Sequence, residues 1–235
     1  MLTIRRAEER GHFKNDWLDS HHSFSFGEYY DPQHTGVSLL RVINDDRVAA
    51  GSGFPTHPHK NMEIVSYVMQ GELEHRDSMG NGSVIRSGDV QRMSAGTGVT
   101  HSEFNPASDA ETHFLQIWLL PSEQYTQPGY EQKHISAEQR RGRLKLLVST
   151  DGRDGSVRVN SDALIYGALL DEGQCVKHEI QPDRVVYVHV AKGGVRSDAG
   201  VLNGGDGVTV SAESRLEMCA IGQAELLLFD LPAVK

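Results

Sequence analysis

The chain has 235 residues, enough for one large domain or two small ones that each bury a core. Hydrophobic residues make up 38% and charged residues 23%, which is typical of a globular protein rather than a disordered one. The net charge of -9 and the lack of a Lys/Arg stripe argue against direct contact with nucleic acid. No apolar run approaches the roughly 20 residues of a membrane span, and the charged N-terminus does not resemble a signal peptide. We therefore expect a cytoplasmic protein, and a monomer.

The two cysteines, Cys175 and Cys219, lie far apart in the sequence and lack CxxC spacing. We expect both to be small buried residues of the core. This would agree with a reducing cytosol and with a protein that has no structural disulfide.

In chain order, five strand-length runs rich in Val, Ile, Thr and Tyr are separated by turn residues. They read VSLLRVIND, EIVSYVMQG, THFLQIWLLP, RVVYVHVAKG and AELLLFDLP. One short helix is predicted in SAEQRRGR, where Ser136 can cap the N-terminus and Glu138 lies in the first turn. The pattern predicts an all-β fold, a barrel or a sandwich, with short helical connections.

The two halves of the chain repeat one order of strands and turns. Each half has a strand, a glycine, a short strand, a turn, another strand and then a Gly-Asp pair, at Gly88-Asp89 and at Gly205-Asp206. A repeat of this length indicates one structural unit used twice, although any all-β chain has turn residues between its strands in a partly similar order. We predict a first domain over residues 1–130, a linker with the short helix over 131–143, and a second domain over 144–235.

Two pairs of polar residues with i, i+2 spacing lie in the first half: His57 with His59, and His101 with Glu103. Side chains two apart on a strand share a face, so two neighbouring strands would bring three imidazoles and one carboxylate together. Such a set suits one divalent transition metal, such as Fe, Ni, Cu, Mn, Co or Zn, and leaves positions open for reaction chemistry. One HxH pair could arise by chance among 12 histidines, but the second pair favours a metal site.

The corresponding places in the second half carry no such set. Lys177 and His178 stand where the first pair would recur, and the residues from Glu217 to Cys219 stand where the second would. We therefore predict one metal ion per chain, bound only in the first half.

Glu63 lies six residues after His57. Carboxylates near a metal site often hold a ligand imidazole by accepting a hydrogen bond from it. Since Glu103 is available as a ligand, we expect Glu63 to play this supporting role.

Two stretches resemble the two cupin motifs: Gly51-x5-His57-x-His59-x3-Glu63-x7-Gly71 and Gly88-x5-Ser94-Ala95-Gly96-x4-His101-x3-Asn105. They depart from the motifs in one spacing, and in Ser94, where a proline is usual. The ending His101-x-Glu103 and the upstream segment WLDSHHSFSFGEYYDP resemble the pirin family, and the likeness covers nearly the whole chain. This resemblance implies a bicupin, two jelly-roll-type β-barrels in tandem, of which the second has lost its metal ligands. It also implies Fe(II) as the usual metal, bound by the four residues of the paired motif.

Members of the pirin family are similar to quercetin 2,3-dioxygenases, which open the central ring of a flavonol with O₂ and release carbon monoxide. The resemblance therefore implies a metal-dependent dioxygenase with a flavonol-like substrate. We expect Glu103 to act as the catalytic base, with Glu63 in reserve. A flat aromatic substrate needs an apolar slot, and we expect aromatic residues near the motif to line it: Phe24, Phe26, Tyr29, Tyr30 and Phe54.

Two other functions stay open. The resemblance also extends to a transcriptional co-regulator, so the metal could instead tune a surface that docks another protein, whose identity the sequence does not indicate. The remaining function is that of a dioxygenase or lyase for another enolizable small molecule.

Overall fold

The computed structural model describes residues 1–233, and the predicted all-β fold is confirmed. Its first twelve strands are β1 (Leu2–Arg5), β2 (Gly11–Lys14), β3 (Leu18–His22), β4 (Leu40–Val48), β5 (Gly53–His59), β6 (Glu63–Gln70), β7 (Glu72–Asp77), β8 (Gly82–Arg86), β9 (Asp89–Ser94), β10 (Val99–Phe104), β11 (Thr112–Leu119) and β12 (Gly129–His134). The remaining strands are β13 (Lys145–Ser149), β14 (Val157–Arg158), β15 (Leu164–Leu170), β16 (Cys175–Glu179), β17 (Arg184–Lys192), β18 (Gly194–Ser197), β19 (Gly200–Asn203), β20 (Gly207–Val210), β21 (Arg215–Ala220) and β22 (Ala224–Pro232).

Helical structure is confined to short connections. The α-helix of the described residues, α1 (Ala137–Arg140), lies between the two halves where the sequence predicts it, with Ser136 as its N-cap. Single 3-10 turns lie at Ala7–Glu9 and Arg153–Gly155. Within residues 1–233, no helix has both the length and the apolar character needed to cross a membrane.

Each half combines a seven-stranded sheet with a four-stranded one. In the first half the large sheet has the order β12-β9-β6-β11-β4-β3-β2 and the small sheet β5-β10-β7-β8. In the second half the orders are β1-β20-β17-β22-β15-β13-β14 and β16-β21-β18-β19. The two small sheets correspond strand for strand, which agrees with the repeat seen in the sequence.

The central strands of the large sheets are buried on both faces and are therefore nearly continuous apolar runs. One face of the first large sheet packs against the second half, in a core that includes Leu115 and Ile117 of β11 with Phe229 of β22. Its other face packs against the small sheet of its own half, where Phe114 lies in one cluster with Leu73 of β7. The functional site described below lies between these two sheets of the first half.

The first strand departs from the predicted domain division. β1 pairs with β20, with Ile4 opposite Val208, so residues 2–5 belong to the large sheet of the second half rather than to the predicted 1–130 domain. Leu2 and Ile4 pack there against the second core. This pairing joins the N-terminal strand to a strand late in the second half, which local sequence spacing does not indicate. The predicted boundaries at 130 and 143 otherwise stay a prediction.

The expectation for the cysteines is wrong. Cys175 and Cys219 lie directly opposite each other on β16 and β21 and form a disulfide. Cys175 is exposed and Cys219 half-buried, so neither is a core residue. The pairing depends on the register between two strands that are 44 residues apart, which the spacing of the two cysteines could not reveal.

A buried histidine gives the fold a testable pH dependence. His189 of β17 is fully buried, and neither of its ring nitrogens has a hydrogen-bond partner among residues 1–233. Burial lowers the pKa of His189 to about 4 from its ordinary value of 6.5. Because the unfolded chain then takes up this proton at a higher pH than the folded chain, acid favours unfolding between these two values.

We expect the metal-free protein to lose up to about 1.4 kcal/mol of stability per pH unit from this one residue as pH falls through that window. His189→Gln should make the fall shallower, since it removes the titrating group. Urea unfolding of both proteins at several pH values between about 7 and 5 measures the difference. Equal slopes would show that His189 does not contribute.

Candidate metal centre and its cavity

Three of the predicted ligands lie together on two neighbouring strands. His57 of β5 is directly opposite His101 of β10, and His59 faces the same side as His57 because strand residues alternate. The ring centroids are 4.8 Å apart for His57 and His59, 4.5 Å for His57 and His101, and 4.8 Å for His59 and His101. One nitrogen from each ring lies within 4.8 Å of the others.

Glu103 borders this histidine cluster. It follows His101 at a register shift between β10 and β5, and one carboxylate oxygen lies within 4.8 Å of nitrogens of His101 and His75. Glu103 is buried, and it accepts a hydrogen bond from Gln116 Nε2 at 2.7 Å. The close approach of β5 needs a glycine here, because a Cβ on Gly53 would lie 2.2 Å from the backbone oxygen of Glu103. A neutral amide thus orients the carboxylate beside the imidazoles.

The histidine cluster fits a divalent metal ion. The Nδ1–H of His57 donates a hydrogen bond to the Pro55 carbonyl, so the other ring nitrogen, Nε2, carries the free lone pair. This Nε2 lies 3.0 Å from His101 Nε2. Two ligand nitrogens about 2.1 Å from one ion and at a right angle to each other would be about this far apart. Burial and the neighbouring imidazoles lower the pKa of His59 to about 4 and of His101 to about 3, so both rings are neutral donors at neutral pH.

A buried chain of side chains supports His101 from behind. His101 Nδ1 lies 3.5 Å from His75 Nδ1, and His75 Nε2–H donates to Asp77 Oδ2 at 3.1 Å. The side chains of His75 and Asp77 are completely buried. Ligand imidazoles are usually oriented through their second nitrogen in this way. The signal that could have identified the pair is its own i, i+2 spacing on β7.

Glu63 does not play the supporting role expected of it. It accepts hydrogen bonds from Ser94 Oγ at 2.7 Å and from the Asn160 backbone N–H at 3.1 Å, and from no imidazole among the described residues. Burial raises its pKa, while the bond from Ser94 opposes that rise. Glu63 makes these contacts because it lies at the start of β6 in the large sheet, where its side chain reaches Asn160 in a loop of the second half.

A cavity of about 530 Å³ opens beside the histidine cluster. Of the aromatic residues expected to line it, Phe26, Tyr29 and Phe54 do so. Tyr29 is packed so closely on β2 that a Cβ on Gly11 would lie 2.4 Å from its ring. The other two lie elsewhere, because Phe24 points into the core against Tyr187 and Tyr30 is 74% exposed.

The cavity also has residues that the sequence analysis did not identify. Trp118 of β11 lines it, with its ring centroid 5.0 Å from that of His59. Four polar residues of β3 and β4 line the opposite side, among them Asp46. Burial, with a smaller effect of the neighbouring Asp45 and Glu103 charges, raises the pKa of Asp46 to about 7 against the hydrogen bond from Ser20.

The corresponding strand pair of the second half carries different side chains. In the corresponding strand pair, Lys177 lies opposite Glu217 and forms an ion pair with it at 3.3 Å. Among the described residues of this half, Glu217 groups only with the two disulfide-bonded cysteines. His12, Asp19 and His21 form a further group of possible ligands near the surface. The Asp19 carboxylate there already pairs with Lys14 Nζ at 2.7 Å, and this positive charge disfavours a metal ion.

The first prediction for the site concerns its stoichiometry. We expect one transition-metal ion per chain, and His59→Ala should lose most of it while the β-sheet spectrum stays unchanged. His178→Ala, in the second half, is the control and should retain the metal. Elemental analysis after desalting measures both, and about two ions per chain, or full loading of His101→Ala, would contradict the assignment.

The second prediction separates support of the metal site from support of the fold. Asp77→Asn should weaken metal affinity by roughly 10–100-fold, because His75 and then His101 lose their orientation. Glu63→Gln should leave the affinity unchanged, since its contacts lie with Ser94 and Asn160. Competition with a chelator measures both, and the reverse ranking would restore Glu63 to the supporting role.

Comparisons with known proteins identify the family of the chain. A family model described as Pirin matches residues 3–119, and one described as Quercetinase C-terminal cupin domain matches residues 146–231. The quercetin 2,3-dioxygenase of Escherichia coli K12 is 47% identical over 235 residues, 100% of both chains. A solved structure of a bacterial pirin from Escherichia coli in complex with nickel(II) is 45% identical, covers 100% of both chains and has a TM-score of 0.94.

A more distant structure, a quercetin 2,3-dioxygenase from Acinetobacter baumannii, is 23% identical, covers 98% of this chain and 86% of its own, and shares the fold with a TM-score of 0.75. The expected cupin fold and the resemblance to quercetin 2,3-dioxygenases are thereby confirmed. With family models over both halves and a relative of 47% identity over its full length, the chain belongs to the pirin family.

Proposed function

We propose that this protein is a metal-dependent dioxygenase that opens the ring of a flavonol-like substrate with O₂ and releases carbon monoxide. The observation that carries the proposal is one cavity with two kinds of wall. Possible metal ligands (His57, His59 and Glu103) and aromatic rings (Phe26, Tyr29, Phe54 and Trp118) line the same cavity. Its volume of about 530 Å³ suits a small-molecule substrate. The names of the relatives support the same chemistry.

The cofactor we propose is one Fe(II) ion, held by His57, His59, His101 and Glu103. The donor set fits several divalent metals, and the related Escherichia coli structure holds nickel(II). When bound, the ion would supply Lewis acidity that lowers the pKa of a substrate hydroxyl, and coordination positions for substrate and O₂.

The aromatic wall would hold a flat substrate edge-on to the histidine cluster. Trp118 lies next to His59, and Phe26 packs against Trp118 with ring centroids 5.4 Å apart. Apolar rings on this side exclude water and restrict the substrate to a plane. Orientation of this kind contributes to rate because the reacting groups are then held near their reactive geometry.

Glu103 would accept the proton of the substrate hydroxyl. Its carboxylate lies at the boundary between the histidine cluster and the cavity. Gln116 Nε2 fixes the position of one carboxylate oxygen at 2.7 Å, and Ser66 Oγ lies 3.4 Å from the other. A base that is already positioned takes up the proton without rearrangement.

We expect the iron-loaded protein to consume quercetin under air and to release carbon monoxide. Glu103→Asp should retain much of the iron but lose about 10²-fold in rate, because the carboxylate is withdrawn on the scale of 1 Å. Loss of flavonol absorbance, carbon monoxide and iron content are measured together, with Arg47→Gln on the exposed surface as the control. A fully iron-loaded wild type that consumes no flavonol would refute the proposal.

A further inference from the structure

The disulfide of the second half lies on the outer face of the small sheet. Cys175 of β16 is directly opposite Cys219 of β21, and Cys175 is exposed while Cys219 is half-buried. Their strand neighbours Val176 and Met218 point to the other face, where both are buried in the second core. Strand pairing and apolar packing therefore hold β16 and β21 together, and the disulfide lies where a small molecule in solution can reach it.

A cation lies beside the less exposed of the two cysteines. Arg196 of β18 is directly opposite Cys219 on the side away from Cys175, so the three residues form one row across the outer face. Directly opposite residues have Cβ atoms about 5 Å apart, which brings the exposed Arg196 side chain within reach of the Cys219 sulfur. An arginine or lysine in such a place stabilises a thiolate.

A carboxylate on the same face has a cation of its own. One oxygen of Glu217 lies within 4.8 Å of both sulfur atoms, where its charge would oppose a thiolate. Glu217 also forms an ion pair with Lys177 Nζ at 3.3 Å. Because Lys177 neutralises that carboxylate, Arg196 is the charge that acts on Cys219.

We propose that Cys175 and Cys219 form a thiol-exchange site, which reacts in the folded protein with low-molecular-weight thiols such as glutathione. The thiolate of the small thiol attacks the exposed Cys175 Sγ and forms a new S–S bond with it. The bond between Cys175 and Cys219 breaks, and its electron pair goes to Cys219 Sγ, which leaves as a thiolate beside Arg196.

A second molecule of the small thiol completes the reaction. Its thiolate attacks the sulfur of the first molecule, so Cys175 leaves as a thiolate and the two small molecules depart as their own disulfide. The small thiol is therefore the reductant, and no other reactant is needed. In the absence of a second molecule, the Cys219 thiolate attacks Cys175 Sγ, expels the small thiol and restores the original disulfide.

Access and charge favour the same direction of attack. Thiol–disulfide exchange is faster when the attacked sulfur is accessible and when the leaving thiolate is stabilised. Cys175 provides the accessible sulfur, and Cys219 provides the leaving group with a neighbouring cation. Since an exposed charge has a modest effect, we expect Arg196→Gln to slow the exchange about 3-fold.

The test follows the loss of the disulfide in the native protein with excess glutathione under anaerobic conditions. Samples are quenched with acid, which protonates thiolates and stops exchange, and are analysed by intact-mass spectrometry and by peptide mapping. Arg196→Lys keeps the charge and should retain most of the rate. Arg215→Gln is the matched control, because it removes the same charge from the same face of β21, opposite Glu179 and away from Cys219.

We expect wild type and Arg215→Gln to lose the disulfide at one rate while the β-sheet spectrum stays unchanged, with the early mixed disulfide on Cys175. Cleavage of the disulfide only after unfolding in urea would overturn the proposal, since the bond would then be purely structural. A mixed disulfide that forms first on Cys219, or equal rates for Arg196→Gln and Arg215→Gln, would also overturn it.

Discussion

The alternation of side chains along paired antiparallel strands is the constraint on which this site depends. It places His57 and His59 on one face of β5 and sets His101 opposite His57 on β10. The same rule aligns His75 with Asp77 behind the cluster. In the facing sheet it also brings Ser20, His22, Asn44 and Asp46 to the cavity wall. Two sheets can in this way present polar residues to one cavity without any long loop.

Burial decides how these groups behave. The first large sheet is covered on its far side by the second half, through a core that includes Tyr187 and Phe229. The sheet can therefore be buried on both faces, and its inward polar groups are removed from water. Burial lowers the pKa of His101 to about 3 and raises the pKa of Asp46 to about 7. The second half thus covers the face of this sheet that lies away from the cavity.

Much of the fold and the centre of the site could be predicted from the sequence. The strand runs, the helix at Ser136 and the HxH and HxE pairs are local patterns, and each depends on residues a few positions apart. What escaped prediction depends on tertiary pairing: the exchange of β1 into the second sheet, the disulfide, and the bond from Asn160 to Glu63. Phe24 and Phe26 show the same limit within one segment, because only the fold decides that the first enters the core and the second the cavity.

The strand pair that lacks ligands shows why a repeated unit need not repeat its chemistry. β16 and β21 have the same pairing as β5 and β10, but Lys177 and Glu217 neutralise each other where two imidazoles face each other in the first half. The two side chains of that ion pair are partly exposed, so each charge is neutralised by the other and solvated by water. The pair therefore does not require a bound cation. In the first half, the imidazole nitrogens of half-buried His57 and His59 and buried His101 converge, and among the described residues no cationic side chain is hydrogen-bonded to them. A divalent metal ion would satisfy these lone pairs together, which the ion pair of the second half does not require.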